Sequence, residues 1–321
     1  FHTFVFNIFT PSTPDFDPDC QVKVTAFTKK NYRDVYPAVD PSRPELSQTG
    51  KVIIITGASR GLGRLAFAAS FARANAAALV LLGRSAEGLE ETQKLVNEIN
   101  PATKVLSIAV DVTDEAGVNK AFQDAVAQFG VPHVLVNNAG ALVVLDTIIN
   151  TDVESWWKTQ EVNVKGTFIA TKAFLKHTGD SPSASTTIVN MISMAAQGVP
   201  PGMSSYSPSK LAVCKFTQFL ATEHPTITSV GLDPGVAATD MGHSVPYLAP
   251  FIGDTPDLCG GVGVWLASGD KSFLSGKYVS VCWDAAELET RKDEIKGGNL
   301  LTFRLSGEFG GPDVTVEALH K

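Results

Sequence analysis

The most constraining feature of this sequence is an apolar run that leads directly into a glycine-rich turn. The run Val52–Ile55 is apolar at every position, which is typical of a strand covered on both faces. The turn Thr56–Gly63 reads TGASRGLG and places Gly57, Gly61 and Gly63 before a segment with helical spacing. Glycine permits the positive φ angles and close backbone approach that such a turn needs. The segment therefore predicts a central strand, a tight turn and a helix in immediate succession.

Further short apolar runs recur along the chain, and stretches with amphipathic helical spacing separate most of them. The other predicted strands are Leu79–Leu82, Val105–Val110, His133–Val136, Thr187–Met191, Ser229–Leu232 and Tyr278–Val281. The predicted helices are Arg64–Asn75, Ala86–Ile99, Asp114–Phe129, Val153–His177 and Ser207–Glu223, with Asp114 as an N-cap. Strands that alternate with helices predict β-α-β units, and hence one α/β domain with a doubly wound parallel sheet of the Rossmann type.

The ends of the chain differ from this regular middle. Residues 1–49 are rich in Pro, Asp, Ser and Thr and predict an extension that wraps on the surface or is partly disordered. We assign residues 50–290 to the domain itself and residues 291–321 to a C-terminal tail, with a helical pattern over Ala285–Ile295. The Pro-interrupted stretch Thr239–Leu258 disfavours a long regular element and predicts a lid over a substrate.

Composition excludes several classes of partner. The 321 residues are 44% hydrophobic, carry a formal charge of -7 and contain no Lys/Arg-rich run, so we expect neither a nucleic acid nor a membrane as partner. The apolar stretch Phe1–Phe9 is too short to cross a bilayer and lacks the flanks of a secretion signal. Four scattered cysteines predict a reducing, cytoplasmic location, and no His or Cys spacing predicts a metal site.

The glycine turn predicts a phosphate site, because its backbone N–H groups and the start of the following helix favour negative charge. A ligand-free connection between strand and helix is the alternative. Where NAD sites usually carry an acidic residue, this chain has Gly83 and Arg84. Arg60 and Arg84 could converge on a 2′-phosphate, which favours NADP(H) over NAD(H). The alternative is that one or both arginines are solvated surface charges.

A second group of residues predicts chemistry at the same edge of the sheet. Tyr206 and Lys210 lie one helical turn apart, and Ser193 follows the strand Thr187–Met191. An ammonium beside a phenol is expected to lower the pKa of the tyrosine, as a general acid or base at neutral pH requires. The hydroxyl of Ser193 would hold the substrate oxygen. Taken singly, the pair is a frequent accident of helices and the serine an ordinary turn residue.

Taken together, these residues resemble the short-chain dehydrogenase/reductase family over roughly residues 51–284. The resemblance rests on TGASRGLG, Asp111-Val112, NNAG at 137–140, Asn163 in NVKG, Ser193, YSPSK at 206–210 and PGVAAT at 234–239. The segments RPELSQTGK and YVSVCWDAAEL are similar to dehydrogenases of filamentous fungi. The extensions at both ends exceed the usual family core, and Met194 stands where small residues are common.

The resemblance implies a role for each matching residue. Tyr206 would transfer the proton, Ser193 would orient the carbonyl, Lys210 would bind the nicotinamide ribose, and Asn163 would support a water relay. The implied cofactor contacts are Gly57, Ser59, Arg60, Gly61, Leu62, Gly63, Arg84, Asp111, Val112, Asn138, Ala139, Gly140, Tyr206, Lys210, Pro234, Gly235, Val236 and Thr239.

We therefore expect an NADP(H)-dependent oxidoreductase that interconverts a ketone or aldehyde and an alcohol on a small to medium hydrophobic substrate, mainly by reduction. The alternatives are a regulatory protein that only binds the cofactor and a lyase or isomerase without net redox change. The family often pairs through the helix that carries Trp156 and Trp157, so we expect a homodimer or homotetramer. Packing within the subunit is the other interpretation of these tryptophans.

Overall fold

The computed structural model describes residues 17–179 and 186–305. The expectations for Phe1–Phe9, for the rest of the first 16 residues and for the chain after residue 305 lie outside this part.

The described chain forms one seven-stranded parallel sheet. Its strands are β1 Val52–Thr56, β2 Ala78–Gly83, β3 Lys104–Ala109, β4 Val134–Asn137, β5 Thr187–Met191, β6 Thr228–Asp233 and β7 Tyr278–Ser280. The order across the sheet is β3-β2-β1-β4-β5-β6-β7, and each neighbouring pair is parallel. The doubly wound α/β fold is confirmed, and the order reverses between β1 and β4, where such sheets bind ligands.

Helices cover both faces of the sheet. They are α1 Cys20–Val24, α2 Ala69–Arg73, α3 Ala86–Ile99, α4 Glu115–Phe129, α5 Val153–Gln160, α6 Thr167–Thr178, α7 Tyr206–Glu223, α8 Asp240–His243, α9 Pro256–Leu266, α10 Ala285–Thr290 and α11 Lys292–Gly297. Wider π-helical turns over Gly63–Ala68 and Glu161–Gly166 lead into α2 and α6. The predicted cap of α4 is confirmed, since the carboxylate of Asp114 accepts a hydrogen bond from the N–H of Gly117 at 3.1 Å.

The alternation of side chains along β1 divides the core into two layers. Ile53 and Ile55 pack in the layer that contains Phe67 and Phe71. Ile54, which points to the opposite face, packs in the layer of Phe122 and Phe174. Both layers exclude water, which explains why the β1 sequence is apolar at every position.

The described part of the N-terminal segment, residues 17–49, is mostly exposed or half-buried, but several of its side chains reach the core. Tyr36, Val39 and Leu46 belong to the buried core, and Gln48 is fully buried with its amide nitrogen 2.7 Å from the hydroxyl of Ser268. The segment is therefore anchored to the domain by three apolar side chains, which complete the core layer beside α9.

Two irregular regions follow the sequence pattern. The Pro-interrupted stretch holds α8 and a short 3₁₀ helix, Pro246–Phe251, before α9 begins at Pro256. The predicted helix Ala285–Ile295 is divided into α10 and α11 at Arg291. Across the described residues, no helix combines the length and apolar character that crossing a bilayer requires.

Candidate active site

The glycine turn owes its shape to three different demands on its glycines. Gly57 has a φ of 66°, and a Cβ there would lie 2.8 Å from the Cα of Ala139. Gly61 has a φ of 54°, and the place of its Cβ is open space. A Cβ on Gly63 would overlap the carbonyl oxygen of Gly57. Gly57 and Gly63 therefore allow close packing, while Gly61 presents bare backbone to a cavity.

This cavity has a volume of about 290 Å³ and lies at the carboxyl ends of the central strands. Fifteen of the predicted cofactor contacts line it: Gly57, Ser59, Arg60, Gly61, Leu62, Arg84, Asp111, Val112, Asn138, Ala139, Gly140, Tyr206, Lys210, Pro234 and Thr239. Gly63 is not among them because it packs beneath the turn, and Gly235 and Val236 line a neighbouring cavity instead. The open backbone at Gly61, at the start of a helix, suits a pyrophosphate.

The two arginines singled out from the sequence lie in different environments. Arg60 forms an ion pair with Asp240, with 3.0 Å between Nη1 and Oδ2, and both side chains are more than two-thirds exposed. Arg84 is exposed at the cavity wall and makes no ion pair or hydrogen bond with the residues described. The charge of Arg84 acts on the nearby Asp111. Burial raises the pKa of Asp111, but hydrogen bonds from Thr113 and the charge of Arg84 help to hold it below its ordinary value.

Ser193, Tyr206 and Lys210 come together although they lie on different elements. Ser193 follows β5, Tyr206 is the first residue of α7, and the two hydroxyl groups share a hydrogen bond. Lys210 lies one turn along α7, with its Nζ 5.6 Å from the centre of the Tyr206 ring. The Lys210 ammonium also donates a hydrogen bond of 2.8 Å to the carbonyl of Met191. The end of β5 thus holds the lysine beneath the tyrosine.

The protonation behaviour of this pair differs from the sequence expectation. Burial raises the pKa of Tyr206 to about 12, and the hydrogen bond to Ser193 offsets only part of that rise. Burial likewise lowers the pKa of Lys210 to about 8. The expected lowering of the Tyr206 pKa by Lys210 is not found, because loss of solvent penalises the charged form of each group and is the largest cause of both shifts.

Asparagines hold the loops around the pair. The side-chain amide of Asn138 donates to the carbonyls of Thr56 and Gly57 at 2.9 and 3.1 Å. The side chain of Asn163 accepts a hydrogen bond from the N–H of Ala141 at 2.7 Å and donates one to the carbonyl of Ala141 at 2.9 Å. Asn163 lines neither this cavity nor the neighbouring one. The contacts of Asn163 therefore position the loop that follows β4.

A second, mainly apolar cavity of about 160 Å³ adjoins the first. Ser193 lines this second cavity, and Tyr206 lines both. The other residues shared by the two cavities are Leu62, Pro234, Thr239 and Met241. The phenol of Tyr206 therefore lies at the junction between a phosphate-suited space and an apolar space.

The sequence analysis missed Asp233, which is buried at the end of β6. Its carboxylate accepts a hydrogen bond of 2.5 Å from the phenol of Tyr278 and further bonds from the N–H groups of Met194 and Gly235. Burial raises its pKa to about 6. Asp233 thereby joins the Ser193 loop to the loop that follows β6. Its place directly before the Pro234-Gly235 pair was the available signal.

A second missed group is an ion pair that joins the N-terminal segment to the site. The guanidinium of Arg33 contacts the buried carboxylate of Asp254 at 2.8 Å, and Asp254 accepts the N–H of Val236 at 2.6 Å. In sequence, Arg33 stands in a segment without periodic signal, so nothing indicated this contact. Within residues 17–179 and 186–305, no three His, Cys, Asp or Glu side chains cluster closely enough to hold a metal ion.

Comparison with known sequences agrees with this geometry. Residues 51–247 match the family model described as short chain dehydrogenase. The short chain dehydrogenase mpl6 of Monascus purpureus is 36% identical over 282 residues, which cover 86% of this chain and 95% of that protein. The short chain dehydrogenase pigC of Monascus ruber is 34% identical and covers 85% and 92%. The resemblance to fungal dehydrogenases is confirmed.

Solved structures show the same fold. Levodione reductase superposes with a TM-score of 0.68 at 27% identity, covering 73% of this chain and 96% of the reductase. A short-chain dehydrogenase/reductase mutant of Serratia marcescens gives a TM-score of 0.66 at 28% identity over the same shares. With the family match, the fungal relatives and the geometry of Ser193, Tyr206 and Lys210 in agreement, this chain belongs to the short chain dehydrogenase family of oxidoreductases.

Proposed function

We propose that the protein uses NADPH to reduce a ketone or aldehyde on a small to medium hydrophobic substrate. The observation that carries this proposal is the position of Tyr206, which lines both the cavity with the glycine turn and the apolar cavity. A carbonyl in the apolar cavity can thus reach the phenol while its skeleton stays out of water. The stretch Met241–Leu248 supplies part of the apolar wall, which supports its role as a substrate lid.

The side chains support a general-acid role for Tyr206. When bound, the nicotinamide would supply the hydride. Tyr206, which is protonated at neutral pH, gives its phenolic proton to the substrate oxygen, and Ser193 donates a hydrogen bond that holds this oxygen. Lys210 lies beneath the phenol and stabilises the phenolate that the proton transfer leaves behind. Asn163 keeps its proposed role in a water relay beside Lys210.

The proposal that the cofactor is NADPH rests on the charged residues in the wall of the first cavity. The second strand ends in Gly83 and Arg84, which is exposed and has no ion-pair partner among the described residues, at a position where a carboxylate would otherwise accept ribose hydroxyls. Arg60 lies on the same wall, and its exposed pair with Asp240 can exchange for a phosphate at small cost. NADH is the second candidate, since a xylitol dehydrogenase with 25% identity and a TM-score of 0.66 was solved with NAD+ bound.

We also propose a homodimer or homotetramer in the cytoplasm. Large apolar side chains on α5, α6 and α7 remain exposed, with Trp157 at 55% and Phe168 at 49%. All four cysteines are free thiols, which suits a reducing compartment. The dehydrogenase domain proper would span residues 50–290, with 1–49 and 291–321 as additions to it.

The test is a fluorescence titration of the purified protein with NADPH and NADH, followed by reduction of α-tetralone monitored through nicotinamide absorbance. Tighter binding of NADPH and its oxidation by the ketone are expected. Tighter binding of NADH would overturn the cofactor assignment. Binding without oxidation of NADPH by any carbonyl compound tested would favour the regulatory protein, and conversion of substrate without absorbance change would favour a lyase or isomerase.

A further inference from the structure

Gln21 is a buried polar residue that faces the apolar cavity from outside the dehydrogenase core. It lies on α1, its side chain is only 5% exposed, and it lines the cavity that also contains Ser193 and Tyr206. Neither its amide nitrogen nor its amide oxygen has a hydrogen-bond partner among the described residues. An unpaired buried amide destabilises a fold, so its presence at a cavity wall points to a partner that arrives with the ligand.

The position of α1 is held by contacts at both of its ends. Before the helix, the carboxylate of Asp19 pairs with Arg33 at 2.6 Å, and Arg33 also binds Asp254 and the carbonyl of Phe251. After the helix, the indole N–H of Trp283 donates to the carbonyl of Thr25 at 2.9 Å. These contacts fix the helix backbone against the loops of the site, so Gln21 is presented to the cavity by a constrained element.

Three other polar side chains of this cavity already have hydrogen-bond partners within the protein. Ser193 and Tyr206 bond to each other at the reacting end. The hydroxyl of Thr239 caps α8 by accepting the N–H of Gly242 at 3.1 Å. The amide of Gln21 differs from them because it can both donate and accept without breaking an existing bond.

We infer that Gln21 selects substrates that carry a second oxygen, a hydroxyl or a carbonyl, away from the carbonyl that is reduced. This inference rests on the proposed function, since it treats the apolar cavity as the substrate site. The substrate class is then an apolar, ring-sized skeleton with one reacting carbonyl and one remote oxygen. Gln21 acts on binding and specificity and takes no part in proton transfer.

The experiment compares α-tetralone with its ring-hydroxylated isomers in the wild type, in Gln21→Leu and in Gln123→Leu. Gln123 is an exposed glutamine on α4 that lines neither cavity, so its variant makes the same chemical change elsewhere. Two quantities are measured for each ketone: kcat/KM with NADPH, and Kd by calorimetry in the presence of NADP+. The readout is the preference for the best hydroxylated isomer over α-tetralone, expressed as the ratio of their kcat/KM values and as the ratio of their Kd values.

In the wild type and Gln123→Leu, this ratio should favour one hydroxylated isomer by about tenfold, the effect of a single neutral hydrogen bond. In Gln21→Leu the ratio should fall to about one. Gln21→Leu should melt at or above the wild-type temperature, because it removes an unpaired buried amide. If the leucine variant does not fold, it is replaced by Gln21→Met, whose side chain has the same length as that of glutamine.

An unchanged ratio in Gln21→Leu overturns the inference, and so does a wild type that binds no hydroxylated isomer better than α-tetralone. The two proposals fail separately. A Kd ratio that depends on Gln21 without any oxidation of NADPH would overturn the reduction and keep the role of Gln21. Reduction of the ketones with a ratio that is the same in the wild type and in Gln21→Leu would keep the proposed function and overturn the role of Gln21.

Discussion

Tyr206 and Lys210 show how strongly burial controls the chemistry of single residues here. The phenol has a pKa of about 12 and the ammonium a pKa of about 8, so at neutral pH Tyr206 is a neutral phenol and Lys210 is still mainly charged. A neutral phenol is the form that donates a proton to a carbonyl oxygen. At the residue scale, the protonated phenol fits the reduction that we propose.

The first prediction concerns the proton of Tyr206. Tyr206→Phe removes the phenolic hydroxyl but keeps the ring, so NADPH affinity should stay nearly unchanged. Reduction of α-tetralone should fall by a factor on the order of 10² or more, as for loss of a general acid. Activity assays with NADPH measure the turnover, and a fluorescence titration measures the NADPH affinity. Near-normal turnover in the variant would contradict the proposed role.

The second prediction uses the pH dependence of folding stability. Lys210 has a lower pKa in the folded protein than its ordinary 10.5, so its favourable contribution is present above that value and is lost as pH falls through about 8. The free energy of unfolding of the wild type, minus that of Lys210→Met, should be about 3 kcal/mol smaller at about pH 7 than at about pH 10.5.

Urea unfolding at the two pH values measures this difference. Lys165→Met is the control, because Lys165 is an exposed lysine of the same polypeptide and its removal should change stability little at either pH. Parallel pH dependence in the wild type and Lys210→Met would show that the burial of Lys210 costs nothing.

At the scale of the element, the strand, turn and helix that begin with β1 act as one unit. The turn closes tightly because Gly63 lets the helix approach Gly57, and Asn138 ties the end of β4 to the same carbonyls. The proposed cofactor site and the local packing thus depend on the same backbone.

The third prediction tests this coupling with Gly63→Ala. The added Cβ would overlap the carbonyl of Gly57 and lie 2.7 Å from the amide nitrogen of Asn138. Overpacking of this kind should lower the free energy of unfolding by about 1–3 kcal/mol, and NADPH binding should be lost with the displaced turn. Gly297→Ala at the end of α11, where a Cβ meets nothing within 4 Å, is the control. Normal melting and normal NADPH affinity in Gly63→Ala would refute the coupling.

At the scale of the whole molecule, exposed apolar side chains on three neighbouring helices are the basis of the proposed subunit contact. They are Val153, Trp157, Phe168, Leu211 and Phe219. Phe168 contacts Phe216 edge to face at 6.0 Å, which joins α6 and α7 into one surface. Exposed apolar surface of this kind is typical of a subunit interface.

The fourth prediction is that light scattering gives the mass of a dimer or tetramer for the wild type and a lower mass for Phe168→Asp. The new carboxylate would be buried without a partner in the interface, which disfavours association. Val131→Asp, at an apolar residue that is 51% exposed and lies before β4, should leave the mass unchanged. A monomeric wild type would remove the oligomer proposal.

The sequence by itself determined the fold and predicted most of the residues that line the candidate site. Apolar runs such as Val52–Ile55 and the helical spacing between them are local periodic signals, so they specified the sheet without knowledge of contacts. Gly57 and Gly61 were readable for a similar reason, because the positive φ angles that they adopt are a local backbone requirement. Motif order along the chain then placed Ser193, Tyr206 and Lys210 at one edge.

Only the tertiary structure decided the protonation of the site and the surroundings of the substrate cavity. Arg33 and Asp254 are 221 residues apart, and no local pattern in the sequence links them. Gln21 enters the cavity from a segment without periodicity, and the pKa of Tyr206 depends on how much water the assembled fold excludes. Burial and long-range contact arise only when distant segments pack together, because the solvation of a group is set by all its neighbours in space and not by its neighbours in sequence.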